Sequence, residues 1–224
     1  MPRSLMDRVK RRLRISPSFG DLGNTKPFST IYGYDRGTPI DRYYIENFLT
    51  AHASDVCGRT LEIGDDTYTS RFGGTRTTQR DVLHLNSLNP AVTIVGDLSK
   101  RGTLPASAFD CLVITQTLYF VYDIRAAVDE LYGSLKSGGI LLLTTPGIFA
   151  RDEEYGWFWS LTTALARRLF GDVFGADNVE VGAYGNVFAA TAFLQGIALE
   201  EVPRHKLDVV DEAFPVVVTV RARK

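Results

Sequence analysis

A chain of 224 residues with 45% hydrophobic and 23% charged content is ordinary for a globular protein, and its length suits one filled core better than two. The formal net charge of −1 argues against a general nucleic-acid binder, because neutralising phosphates takes a basic excess that this chain lacks. Cys57 and Cys111 are too few for a disulfide framework or a zinc cluster, and no stretch reaches the roughly 20 apolar residues of a spanning helix.

The base that exists is concentrated at the N-terminus, in Arg3, Arg8, Lys10, Arg11, Arg12 and Arg14. Leu5, Met6, Val9 and Leu13 recur there near helical spacing, so a short amphipathic basic helix and a solvated arm are both open readings. No apolar stretch follows these residues, which argues against a secretory signal and for a cytoplasmic protein. Residues 15–38, rich in Gly, Pro, Ser and Thr, read as an extended leader, which makes 1–38 a leader unit ahead of one domain over 39–224. A helix follows, with Thr38 as its cap, Pro39 at its first position and Asp41 where a capping box wants an acid. Its apolar stripe is Ile40, Tyr44, Ile45, Phe48 and Leu49.

Strands and helices then alternate. Candidate strands are Thr60–Ile63, Val82–Leu85, Val92–Val95, Cys111–Thr115 and Ile140–Thr145, each a short β-rich run closed by turn or polar residues. After the fourth, Asp123 caps a helix whose stripe is Ile124, Ala127, Val128, Leu131 and Leu135, with Gly138-Gly139 as its stop. Beyond Pro146 come an aromatic segment, Tyr155-Gly156-Trp157-Phe158-Trp159, and a helix near Leu161–Phe170. A sixth strand at Val179–Val181, a helix over Val187–Ala198 and a terminal strand over Val216–Val220 close the chain. Near-continuous apolar strands separated by helices predict an α/β fold with a parallel sheet covered on both faces.

The most informative stretch is Arg59-Thr60-Leu61-Glu62-Ile63-Gly64-Asp65-Asp66-Thr67-Tyr68, a buried strand breaking into a ligand-binding turn. Together with Gly96-Asp97-Leu98, Phe109-Asp110-Cys111 and the run from Leu135 to Leu143, it resembles the class I S-adenosylmethionine-dependent methyltransferases over roughly residues 58–146. Asp35 to Tyr44 and Tyr184-Gly185-Asn186 resemble a bacterial small-molecule subgroup linked to surface-sugar or secondary-metabolite modification. The resemblance implies a Rossmann-like, doubly wound seven-stranded sheet, mostly parallel with an antiparallel C-terminal strand. It also implies S-adenosyl-L-methionine as cofactor, a small-molecule substrate, and O-methylation of a sugar or secondary metabolite. Association into a homo-oligomer stays open.

Residue by residue, the resemblance puts Glu62, Gly64, Asp65, Asp66 and Tyr68 at the methionine part of the cofactor. The loop lacks the second and third glycines of the family pattern, and Asp65 or Asp66 is a candidate partner for the cofactor's ammonium group. An ordinary strand-to-helix turn is the alternative for these acids. Asn86 stands where the family has an acid for the ribose hydroxyls, and its neutral amide can still accept from one. Asp97 matches the acceptor for the adenine amine, with capping of the next turn as its alternative. Leu98 packs on the ring, and Gln116 and Thr117 form the rim at the carboxyl edge of the sheet.

A base for an alcohol acceptor is harder to find. His52 reads as a surface residue, His84 as a packed or sheet-edge side chain and His205 as part of a polar loop. Phe120 occupies the position where many relatives carry a histidine. That leaves Asp152 and Tyr155 as catalytic candidates, with Glu153 and Glu154 beside them and a solvated acidic loop as the alternative. Trp157, Phe158 and Trp159 read as pocket wall or plain core. Tyr32, Tyr43 and Tyr44, with Arg36 and Arg42, suggest a lid that clamps a carboxylate. No metal site is expected. Two other functions stay open: a repurposed methyltransferase fold that binds without transfer, and a nicotinamide-dependent oxidoreductase. The missing G-x-G-x-x-G spacing speaks against the second.

Overall fold

The computed structural model describes residues 20–150 and 156–224. The basic segment over 3–14 and the catalytic candidates Asp152 and Tyr155 lie outside the described residues, as do Glu153 and Glu154. The strands are β1 (Gly58–Ile63), β2 (Thr77–His84), β3 (Ile94–Val95), β4 (Phe109–Thr115), β5 (Leu135–Pro146), β6 (Val179–Tyr184) and β7 (Val217–Arg223). They form one seven-stranded sheet in the order β3-β2-β1-β4-β5-β7-β6. β1 to β5 pair in parallel, and β7 runs antiparallel between β5 and β6. The architecture is the doubly wound sheet with an antiparallel C-terminal strand that the sequence predicts.

Side-chain alternation builds two cores. Leu112 and Ile114 of β4, with Leu141 and Leu143 of β5, face α2 (Ile124–Ser134) and α3 (Thr163–Phe174). Cys111, Val113 and Leu142 point to the opposite face, against α1 (Ile40–Ala51) and α4 (Val187–Leu194). Period-two strands buried on both faces thus place helices on both sides of the sheet. α5 (Arg204–Leu207) is a single turn before β7.

Several expectations are corrected. Pro39 is the residue that precedes α1, with no side-chain cap; Thr38 instead donates its hydroxyl to Glu200 at 2.7 Å. Asp41 closes no capping box and is buried in the interior. Asp123 does cap α2, accepting from the Ala126 N–H at 3.0 Å. That helix ends at Ser134, not at Gly138-Gly139, which lie inside β5 where its register against β4 shifts between Phe109 and Cys111. Lys136 reaches from this irregular stretch to Asp110 at 2.7 Å. The third strand shrinks to Ile94–Val95, because the segment before it forms a turn in which the Asn89 side-chain oxygen accepts from the Ala91 N–H. α4 stops at Leu194. Between β1 and β2 the chain makes a short helical stretch that starts at Thr67 and runs through a π-helical turn (Thr69–Gly73) into a 3₁₀ turn (Gly74–Arg76).

The described part of the leader is tied down rather than extended. Phe28 donates its N–H to the Gln195 carbonyl at 2.8 Å, Arg36 pairs with Glu201, and Leu199 donates to the Thr38 carbonyl at 2.7 Å.

Candidate functional site

Strand order reverses between β1 and β4, and a crevice opens at such a switch point beyond the carboxyl ends of the strands. Here it is a cleft of about 1140 Å³, above the usual 300–1,000 Å³ of a single-ligand pocket. All the cofactor residues expected from the sequence line it except Asp66.

The turn after β1 is held from within. Glu62 is buried, and its carboxylate accepts from the Tyr68 N–H (3.1 Å), the Thr69 N–H (2.7 Å) and the Thr69 hydroxyl (2.9 Å). Burial pushes its carboxyl up to about 7, while these three donors pull the other way. Gly64 has φ of +86° and donates to the Leu83 carbonyl at 3.0 Å; a Cβ at this position meets nothing within 4 Å. Asp65 closes a local turn by accepting from the Thr67 N–H at 2.9 Å. Asp66 is a correction. Its carboxylate pairs with Arg80 at 3.1 Å, and it does not line the cleft.

Asn86 lies at the cleft with its side-chain oxygen accepting from the Leu88 N–H at 3.1 Å. One oxygen of Asp97 accepts from the Ser99 N–H and hydroxyl, both at 2.8 Å, and these bonds hold its carboxyl below the usual range. Asp97 thus closes a local turn, with no helix following it to cap, and also lines the cleft. Leu98 is buried beneath Asp97 in the core shared with α2. Asp97→Ala is expected to weaken S-adenosylhomocysteine binding about tenfold, the value of a charge-assisted hydrogen bond, while the melting temperature changes by only a few degrees. Calorimetry showing unchanged affinity removes Asp97 from the site.

Gln116 ends β4 with φ of +46°, its N–H donating to the Thr144 carbonyl at 2.9 Å. Its side chain reaches Asp41 at 3.1 Å. Thr117 donates its hydroxyl to the Thr115 carbonyl at 2.8 Å. Tyr68 accepts from Arg42 at 2.9 Å, and Arg42 also donates to the Tyr34 hydroxyl at 2.8 Å.

Other assignments are redrawn. His84 lines the cleft rather than packing into the core, and its Nδ1 accepts from the Asn86 N–H at 3.2 Å. His52 stacks edge-on against Phe48 at the end of α1. His205 lies exposed on α5, outside the cleft. Phe120 lines the cleft beside Tyr119, ring centroids 4.0 Å apart. Among the described residues of the aromatic segment only Phe158 lines the cleft, edge-on to the exposed Tyr122, while Trp157 packs among Tyr119 and Phe149 and Trp159 donates to the Val121 carbonyl. Of the residues in the lid reading only Arg42 lines the cleft. Tyr43 bonds Asp208, Tyr44 bonds the Leu207 carbonyl, Tyr32 bonds the Ala150 carbonyl, and Arg36 pairs with Glu201. Tyr34, Glu46, Arg71 and Tyr119 line the cleft without having been singled out in the sequence.

A methyltransferase-domain family model matches residues 66–143. That match runs from the turn after β1 into β5, and solved methyltransferase structures share the fold. Among solved structures, a SAM-dependent methyltransferase from Archaeoglobus fulgidus is similar with 13% identity and a TM-score of 0.56, over 82% of this chain and 94% of that one. The N-methyltransferase NodS from Bradyrhizobium japonicum, in complex with S-adenosyl-L-homocysteine, matches with 16% identity and a TM-score of 0.53, over 92% and 95%. The 4+2 cyclase SpnF shares the fold at 18% identity and a TM-score of 0.54, over 84% and 83%. No curated protein matches the sequence. The glycine-poor turn keeps its one open position, Gly64, at the cleft, which leaves room for a ligand to approach the backbone there.

Proposed function

We propose that this chain is a methyltransferase that binds S-adenosylmethionine along the ends of β3, β2, β1 and β4, and methylates an oxygen of a small molecule, a sugar or a secondary metabolite. The cleft carries this reading. Asp97, Asn86, Gly64 and Gln116 follow one another across four neighbouring strand ends, and the volume exceeds what one ligand of ordinary size fills. Asp97 accepts from the adenine amine, Asn86 meets a ribose hydroxyl, and Gly64 lets the backbone approach the sulfonium part. When bound, the cofactor supplies an electrophilic methyl group.

The chain's own residues then position and desolvate the acceptor. Phe120, Tyr122 and Phe158 give the cleft an aromatic wall and rim suited to a planar ring or the apolar face of a sugar. Much of the rate comes from holding the acceptor in line with the methyl group. Asp152 and Tyr155, which follow the carboxyl end of β5, are the proposed groups for removing the acceptor's proton; a positioned base adds about 10²–10⁴-fold.

Thermal denaturation with S-adenosylmethionine, S-adenosylhomocysteine and NAD at equal concentration tests the reading. The first two are expected to raise the melting temperature, by about 2.7 kcal/mol of stability at 100 times the dissociation constant. Stabilisation by NAD alone contradicts it.

A further inference from the structure

We infer that the acceptor is an aromatic ring bearing a hydroxyl, and that the Tyr119 side chain donates a hydrogen bond to that oxygen. This narrows the acceptor class given above and rests on the cofactor reading.

The order of elements sets up the contact. After Gln116 the chain makes a single 3₁₀ turn (Leu118–Phe120), whose first residue is sealed in the core while the next two line the cleft. The cofactor reading fills the ends of β3, β2 and β1, so this turn, just past β4, borders the space left for the acceptor. Tyr119 is only 7% exposed, yet it lines the cleft. Its ring is fixed by other rings, with centroids 4.0 Å from Phe120, 4.6 Å from Trp157 and 6.1 Å from Phe149. Packing therefore aims the side chain, because its hydroxyl makes no hydrogen bond with a described residue. The side-chain oxygens that are both sealed from solvent and unpartnered belong to other residues, so this one keeps contact with the cleft. A ligand that displaces its water has to supply a partner in return. Burial raises the Tyr119 pKa, so the phenol stays protonated and serves as a donor.

The surroundings select the partner. Phe120, Tyr122 and Phe158 present ring surface to the cleft, and Phe158 is tied to the same turn by its N–H, which donates to the Tyr119 carbonyl at 2.9 Å. Other polar side chains of the cleft are already engaged: Arg71 pairs with Glu46 at 2.8 Å, and Arg42 donates to Tyr34 and Tyr68. A buried sugar ring brings several hydroxyls that each need a partner, whereas a phenol brings one. Acidity points the same way. The one histidine that lines the cleft is His84, at the end of β2 beside Asn86. A phenol ionises near a pKa of about 10, far more readily than a sugar alcohol, and so asks less of a base. Once ionised, its oxygen takes a charge-assisted bond from Tyr119.

Calorimetry on protein saturated with S-adenosylhomocysteine tests the contact, with phenol and toluene as probes of one shape that differ in the hydroxyl. Tyr119→Phe is expected to weaken phenol binding about three- to tenfold and toluene binding less than about twofold. Since the lost hydroxyl has no partner within the described protein, the melting temperature is expected to stay within about 2 °C. Equal losses for the two probes, an unchanged phenol affinity, or failure of phenol to bind the loaded protein each overturn the inference. Methyl glucoside binding more tightly than phenol overturns the aromatic class. A tenfold loss of S-adenosylhomocysteine affinity in Tyr119→Phe gives the hydroxyl to the cofactor and overturns the acceptor contact. If S-adenosylhomocysteine does not bind the unaltered protein, the cofactor reading itself fails, and this inference with it.

Discussion

Glu62→Ala is expected to lower stability by about 3 kcal/mol and to abolish measurable cofactor binding. The carboxylate is the strut between the end of β1 and the turn at Tyr68 and Thr69, and its removal strands two backbone N–H groups and a hydroxyl. A buried donor left without its partner costs about 1–3 kcal/mol, and partial relaxation of the turn keeps the sum below three such penalties. Glu62→Gln separates geometry from charge. Burial raises the folded-state pKa from 4.5 to about 7, so the folded state binds the extra proton in that window. The stability this proton brings is full below pH 4.5 and is lost as pH rises through about 7, with a slope of up to about 1.4 kcal/mol per unit. Denaturant unfolding of the two proteins at pH 5 and pH 8 is expected to show the unaltered chain losing stability relative to Glu62→Gln at the higher pH. An equal difference at both pH values means that Glu62 is ionised throughout.

How much of this was legible in the sequence follows from how local each signal is. The strand ends were readable because Glu62-Ile63-Gly64 and Gly96-Asp97-Leu98 are short patterns in which an apolar run meets a polar turn, and local burial dictates that pattern. The stripe of α1 was readable for the same reason, since all five of its apolar residues are buried. Asp41 was misread because its position satisfied a local rule. Its actual partner, Gln116, lies 75 positions away, and no local pattern announces it. The setting of Arg42 was hidden likewise. Its charge suggested a carboxylate clamp on a lid, but the phenols that aim it come from either side of the helix and meet it only in the fold. The irregular start of β5 hid behind its glycines, which read equally well as a helix stop or as a break in strand register.

Two glycines flanking β1 provide the sharpest contrast between folding and binding. Gly64→Ala is expected to cost about 1–2 kcal/mol of stability, the penalty for a Cβ at positive φ, because the added methyl meets no atom of the protein. Its effect falls on the ligand. A methyl group placed on the one open position of the turn occupies space at the cleft, and S-adenosylhomocysteine affinity is expected to drop by about 10–100-fold, or roughly 1.4–2.8 kcal/mol. Gly58 also has a positive φ, +66°, but a Cβ there comes within 2.3 Å of the Asp110 carboxylate that accepts from the Arg59 N–H and from Lys136. Gly58→Ala is therefore expected to destabilise the fold more than Gly64→Ala does, while its folded fraction binds S-adenosylhomocysteine normally. Melting curves and calorimetry on the pair read both quantities. If Gly64→Ala leaves affinity intact, the backbone at that turn does not approach the ligand, and the open position beside it has another explanation than the cofactor.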